Sequence, residues 1–237
     1  MEFLKSGRYD SSLINENMMG PNSMKMLEEI LGENGLKPGM RVLDLGCGRG
    51  LTSIFLAREY GVQVFAVDLW ITATDNYRRF REQGLDERII PLHANALDLP
   101  FADEYFDALI SIDSYHYFGR DEAYFDSRLA GMLKKDALIA IGVPGFRHEV
   151  KENIPEEMKP YWFDEVIETI HSAEWWRKVF SASEHFDLKE IREMECFEEA
   201  WHDWLATDNE YAVSDRPMMA ADGGRYMNLL SIVGKKK

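Results

Sequence analysis

Cysteine is nearly absent from this chain. It has two in 237 residues, Cys47 and Cys196, far apart in sequence. No disulfide framework and no zinc spacing can be built from them, which points to a reducing compartment. Long hydrophobic runs are also missing. No apolar stretch is long enough to span a bilayer, and the opening Met1–Gly7 lacks the apolar core of a signal peptide. A cytoplasmic, soluble chain without membrane insertion is therefore expected. Positive charge is scarce: 27 Lys and Arg stand against 42 Asp and Glu, a net charge of −15. Clustered Lys and Arg are what neutralise phosphates, so a nucleic-acid partner and an anionic membrane surface are both disfavoured. Internal repeats and low-complexity tracts are lacking. His171, His185 and His202 are scattered without metal-ligand spacing, and no metal is expected.

What the chain does have is alternation. Val42–Leu45 reads as a short buried strand running into Gly46-Cys47-Gly48-Arg49-Gly50, and Leu51–Glu59 then follows with helical character. Val62–Val67, Ile89–His93, Phe106–Ile112 and Ala137–Val143 are further strands, with helices over Thr72–Gln83 and within Asp121–Leu133. Pro91 limits the hydrogen-bond ladder of the third strand and suggests an edge. Near-continuous Val, Ile, Leu and Ala runs separated by helices mean a mostly parallel sheet covered on both faces, a doubly wound α/β fold. Before it, Pro21 or Asn22 starts a helix whose apolar face is Met24, Met26, Leu27, Ile30 and Leu31. A loop over 32–39 leads into the first strand.

After Val143 the pattern breaks. Residues 151–210 hold 17 Asp and Glu against 6 Lys and Arg, and five of the six tryptophans. Tyr161–His171 and Ala173–Phe180 read as helices with Ser172 as an N-cap between them. Phe186–Ile191 reads as a strand edge and Arg225–Val233 as the last strand. Two readings of the segment stand: a lid whose aromatics and carboxylates meet a cationic or aromatic ligand, or helices anchored by buried tryptophans with solvated acidic faces.

Three features lie at the carboxyl ends of consecutive strands, where ligands bind in open α/β sheets. The glycine turn offers backbone N–H groups and close approach. Asp68, 22 residues after Gly46, ends the second strand, where a carboxylate accepts from ribose hydroxyls. Asn95-Ala96-Leu97-Asp98-Leu99-Pro100-Phe101 follows the third strand as a polar turn. A dinucleotide fingerprint needs a small residue at position 51, and Leu51 stands there.

The set Asp44-x-Gly46-x-Gly48-x-Gly50, Asp68 and Asn95-Ala96-x-x-Leu99-Pro100-Phe101 resembles the class I S-adenosylmethionine-dependent methyltransferases over residues 37–145. The resemblance implies a seven-stranded Rossmann-like sheet with an antiparallel final strand and a helical insertion near the C-terminal end. It implies a methyltransferase domain over 37–237, including an acidic, Trp-rich, substrate-side insertion at 146–210. Residues 1–36 become an arm and helix covering the cofactor cleft, with Tyr9 and Met18–Asn22 closing it. S-adenosyl-L-methionine is the implied cofactor, held at its methionine end by Asp44, Gly46, Cys47, Gly48 and Gly50. Asp68 is assigned to the ribose, Leu69 and Trp70 to the flanks of the adenine, and Asn95 and Ala96 to its edge. Ile112 and Asp113 are placed under the sulfonium. The family often has Asp where Asn95 stands, and Asn retains an acceptor oxygen.

Methyl transfer is an in-line displacement that needs an aligned nucleophile and sometimes a base. His116 is the candidate base, and Tyr115 and Tyr9 are further catalytic candidates; a packed aromatic turn at 111–118 is the alternative. The expected activity is methyl transfer to N, O or C of a small-molecule acceptor. A non-catalytic S-adenosylmethionine-binding protein and an NAD-dependent oxidoreductase are the rivals.

Overall fold

The computed structural model describes residues 2–32, 35–151 and 153–237. The expected loop over 32–39 lies partly outside these residues, at Glu33 and Asn34. Strand β1 (Arg41–Leu45) leads through the glycine turn to helix α3 (Leu51–Tyr60), preceded by α1 (Ser11–Asn17) and α2 (Ser23–Leu31). Then come β2 (Gln63–Asp68), α4 (Ala73–Glu82), β3 (Ile89–His93), β4 (Phe106–Ile112), α5 (Tyr115–Phe118) and β5 (Leu133–Phe146). The C-terminal part holds α6 (Asp164–Thr169), β6 (His171–Ser172), α7 (Ala173–Ala182), β7 (Phe186–Glu193), α8 (Phe197–Leu205), α9 (Glu210–Asp222) and β8 (Met227–Lys236).

Among the described residues the main path of the sheet is β3-β2-β1-β4-β5-β8-β7, with the two-residue β6 added beside β5. Pairs along β3-β2-β1-β4-β5 are parallel, and β8 runs antiparallel between β5 and β7. This is the seven-strand, doubly wound arrangement with one reversed strand that the motifs imply. Pro91 does sit on the edge strand β3. Side-chain alternation sorts the strands onto two cores. Val42, Val64, Ala66 and Ile110 face α2 and α3, while Leu43, Phe65, Val67 and Leu109 face the side covered by Trp176 and Phe180.

Three local expectations fail. The segment 121–133 forms a π-turn at Phe125–Leu129 and a 3-10 turn at Ala130–Met132. There Asp126 reaches across to Ser183 and Glu184 while Phe125 and Leu129 enter the core, so tertiary contacts override regular helix geometry. Tyr161–His171 is helical only at Asp164–Thr169, because His171 and Ser172 pair with Gly145 and Phe146 of β5. The fifth strand is longer at both ends than Ala137–Val143: Leu133 pairs with Phe106 of β4, and β8 pairs with it as far as Phe146↔Met227. Ser172 does cap α7, accepting from Trp175 N–H.

Of the tryptophans in 151–210, Trp162, Trp176, Trp201 and Trp204 are buried. The anchoring reading of that segment is therefore the structural one for these four rings.

The N-terminal helix is fastened to the C-terminal half by a buried charge. Glu29 on α2 accepts from Glu195 N–H at 2.9 Å, from Cys196 N–H at 2.8 Å and from the Arg192 guanidinium. Burial alone would raise its pKa; the hydrogen bonds from Arg192, Glu195 and Cys196 outweigh that and hold it below its ordinary 4.5. A depressed carboxylate contributes stability that is present above its unfolded pKa and lost as pH falls through the folded value. Glu29→Gln is expected to lower stability by about 2–3 kcal/mol at pH 7, with the difference shrinking below pH 4.5, as denaturant melts at the two pH values would measure.

Candidate active site

The glycine turn ends β1 and is tied to the end of β2, where Val67 C=O accepts from Gly46 N–H at 2.8 Å and Cys47 N–H at 3.0 Å. Gly46, Gly48 and Gly50 have φ of 75°, 53° and 83°, in the left-handed region that only glycine enters freely. A Cβ on Gly46 would lie 2.3 Å from Ser114 Oγ, and one on Gly50 would lie 2.4 Å from Phe80 Cε1. Ser114 Oγ is itself held by Leu45 C=O at 2.9 Å and by Ser111 Oγ at 2.9 Å. Asn76, buried on α4, donates to Gly48 C=O at 2.9 Å.

Asp68 is the knot between two loops. One carboxylate oxygen accepts from Gly48 N–H at 2.8 Å, and the other from Trp70 and Ile71 N–H, each at 2.8 Å. The cleft that results encloses about 450 Å³ between the turn, the β2 and β3 ends, the β4–α5 loop and residues 17–23 of the N-terminal arm.

Carboxyl groups gather beside and behind the glycine turn. Asp44 Oδ2 accepts from Thr52 Oγ1 at 2.7 Å and Ser53 Oγ at 2.6 Å, while its Oδ1 is buried without a partner. Burial, with Asp68 adding to it, pushes its pKa up to about 6 against those two hydrogen bonds. Asp113 has φ 55° and donates its N–H to Gly142 C=O at 2.7 Å. Burial, then the charge of Asp215, pushes its carboxyl up to about 7. Burial and the same acidic surroundings push the Cys47 thiol up as well, so it stays protonated and unreactive.

Ten of the twelve cofactor candidates line the cleft: Gly46, Cys47, Gly48, Asp68, Leu69, Trp70, Asn95, Ala96, Ile112 and Asp113. Asp44 lies behind the turn, and Gly50 is the N-cap of α3 packed on Phe80. Asn95 Oδ1 accepts from Leu97 N–H at 2.9 Å, so its first task is shaping its own turn.

The three catalytic candidates fare differently. Tyr9 does not face the cleft. It packs on Phe55, donates to Glu59 at 3.0 Å and lines a separate depression with Arg58 and Arg79. Met19, Gly20 and Pro21 are the arm residues that reach the cleft, and Met18 is buried in the core. Tyr115 is wholly buried among Phe118, Tyr124, Trp176 and Phe180. Only Tyr117 and Phe118 of α5 line the cleft.

His116 is 3% exposed, and its ring lies tilted against Tyr117 with centroids 4.1 Å apart. Burial, then the neighbouring Arg120, pushes its pKa down to about 3. A neutral imidazole with so little basicity is a poor proton acceptor, and burial beside Arg120 is the physical reason. A base depressed in the folded state contributes stability that is full above its unfolded pKa and lost as pH falls from 6.5 toward 3. His116→Phe is thus expected to flatten the loss of stability between pH 7.5 and pH 5, by about 1–2 kcal/mol in differential melting. An identical pH slope in the two proteins would show that the imidazole titrates freely.

Comparison with known proteins brings in the identity. Residues 42–136 match the family described as "Methyltransferase domain". This chain is 32% identical over 119 residues to methyltransferase GfsG of Streptomyces halstedii, covering 49% of this chain and 42% of that protein. It is 32% identical over 143 residues to a probable chloroplastic tocopherol O-methyltransferase of Oryza sativa, covering 58% and 39%. Over residues 42–136 the chain is therefore similar to a methyltransferase domain. The matched stretches span about two fifths of these relatives' lengths. Phosphoethanolamine N-methyltransferase 2 of Haemonchus contortus, solved with S-adenosyl-L-methionine, shares the fold at TM-score 0.74 and 21% identity. That alignment covers 99% of this chain and 59% of the other.

The cleft fits the cofactor that a methyltransferase domain implies. Gly46 and Gly48 bring bare backbone to the cleft at positive φ, and Asp68, Asn95 and Asp113 line the same cleft with acceptor oxygens. Reading the sequence missed Asn76, which locks the turn; Trp70 was expected at the adenine, and the structure adds that its ring lies 5.4 Å from that of Tyr117 at the cleft. No sequence signal pointed to Asn76.

Proposed function

We propose that this chain transfers a methyl group from S-adenosylmethionine to N, O or C of a small-molecule acceptor. The observation that carries the reading is the acidic lining of the cleft beside the glycine turn. Asp68 and Asp113 line the cleft, and Asp44 lies buried behind the turn with one oxygen without a donor. A ligand with an ammonium and a sulfonium is favoured there, whereas the pyrophosphate of a dinucleotide meets like charge.

The cofactor supplies a methyl group on positively charged sulfur. Asp44 and the Gly46–Gly50 backbone would hold its methionine end. The remaining acceptor capacity of Asp68 would take the ribose, with Leu69, Trp70, Asn95 and Ala96 around the adenine and Ile112 and Asp113 below the sulfur. Met19, Gly20 and Pro21 cover the cleft and exclude water, which favours transfer to the acceptor over side reactions. We read 1–36 as this covering arm and 146–210 as the substrate-side insertion of a domain over 37–237. Two buried free thiols suit a reducing, cytoplasmic setting. Among the described residues no helix is long and apolar enough to cross a membrane.

Calorimetry with S-adenosylmethionine, S-adenosylhomocysteine and NAD tests the reading, followed by a screen of small amines, phenols, quinones and thiols for S-adenosylhomocysteine release. Preferential NAD binding overturns it. Cofactor binding without turnover of any acceptor would favour the non-catalytic alternative.

A further inference from the structure

The roof of the cleft is pinned from the far half of the chain. Met19 and Gly20 form that roof: a Cβ on Gly48 would lie 3.0 Å from Met19 Sδ, and one on Gly20 would lie 2.2 Å from Asp113 Oδ2. The arm therefore rests on the glycine turn at one residue and on the end of β4 at the next. Upstream of the roof Met18 is buried in the core, but α1 buries none of its residues, so that helix adds little hold. Downstream, Pro21 and Asn22 are buried, and Asn22 does not line the cleft. Asn22 N–H donates to Ala200 C=O at 3.0 Å and its Nδ2 to Asp203 Oδ2 at 2.7 Å, both on α8. Its Oδ1 accepts from Met24 N–H at 3.1 Å and Lys25 N–H at 3.3 Å, capping α2. Lys25 Nζ lies 2.7 Å from the same Asp203 oxygen. A buried amide engaged on both its donor and acceptor sides has one orientation, and it places the roof two residues upstream.

We infer that Asp203 is a positioning residue that holds the covering arm down on the cofactor, so that α8 sets how long the cofactor stays bound. The inference rests on the methyl-donor reading above and adds to it a residue that does not line the cleft. A ligand beneath a roof leaves when the roof lifts, and lifting Gly20 works against the pin at Asn22. Without Asp203 Oδ2 the buried Asn22 Nδ2 loses its acceptor and Lys25 its counter-charge, which disfavours the closed arm relative to the open one. Encounter with the open cleft does not involve the pin, so the effect falls mainly on the off-rate.

The test uses the full chain and S-adenosylhomocysteine, with on- and off-rates read by surface plasmon resonance. Failure of the parent protein to bind overturns the methyl-donor reading and this inference with it. In Asn22→Asp the acceptor that caps α2 stays, while a second carboxyl group faces Asp203. The off-rate is then expected to rise about tenfold, with the on-rate within about threefold of the parent. Adding Asp203→Asn to that variant restores a donor–acceptor pair with the roles exchanged, and the off-rate is expected to return to within about threefold of the parent. A general loss of packing around α8 would not be repaired by this exchange. Asp203→Ala, at a side chain 27% exposed, carries the test if Asn22→Asp does not fold. Its off-rate is expected to be about fivefold faster than the parent's. An off-rate within about twofold of the parent in either single variant overturns the inference while the methyl-donor reading stands. So does a faster off-rate that the exchange fails to reverse.

Discussion

Gly46→Ala is expected to weaken S-adenosylmethionine binding about a thousandfold while leaving a folded protein. Two costs add. The residue sits at φ 75°, where an L side chain costs about 1–2 kcal/mol. The new methyl also falls 2.3 Å from Ser114 Oγ. Ser114 cannot step aside without losing its hydrogen bonds to Leu45 C=O and Ser111 Oγ, at about 1 kcal/mol each. The sum is about 4 kcal/mol, which corresponds to the thousandfold if the turn relieves the clash by leaving its binding geometry. Gly84→Ala is the control. Gly84 has φ 66°, yet nothing lies within 4 Å of an added Cβ, so it carries the backbone cost without the collision. Calorimetry should find Gly84→Ala within about twofold of the parent in affinity, with a lower melting temperature. Unchanged affinity in Gly46→Ala would show that the turn is not the cofactor cradle.

Asp68→Ala is the second large effect, again about a thousandfold in cofactor affinity. The carboxylate serves the protein before it serves any ligand, since Gly48, Trp70 and Ile71 all donate to it. Hydrogen bonds to a charged acceptor contribute about 1.5–3 kcal/mol each, and their loss frees both the glycine turn and the Trp70 loop. Asp68→Asn retains one acceptor oxygen and is expected to lose only about ten- to fiftyfold. Equal losses in Ala and Asn would mean that the charge toward the ligand, and not the knot between loops, dominates. Affinity within threefold of the parent in Asp68→Ala would remove Asp68 from the site.

The strands were legible because their apolar runs have the length and spacing of a buried parallel sheet, and Leu51 was informative because one residue type excludes a dinucleotide turn. Asp68 was legible by position alone: it ends β2 one strand from the glycine turn. Its second role, accepting from three N–H groups of two loops, was not, because those donors come from residues 48, 70 and 71. His116 shows the opposite error. A histidine after a strand end reads as a base, but whether its ring faces solvent, a ligand or Arg120 depends on how α5 packs. Tyr9 failed for the same reason, since the arm turns its tyrosine onto Phe55 and offers Met19 and Gly20 to the cleft.

By itself the sequence determined the α/β class, the order of the strands along the chain and the cradle at Gly46–Gly50. Those follow from local periodicity and from backbone conformations that glycine alone adopts freely. Tertiary structure decided which polar groups meet: Glu29 with Arg192 and Glu195, and Asp68 with two loops. Burial and long-range charge set the pKa and the accessibility of a side chain. Neither property is carried by the residues on either side of it.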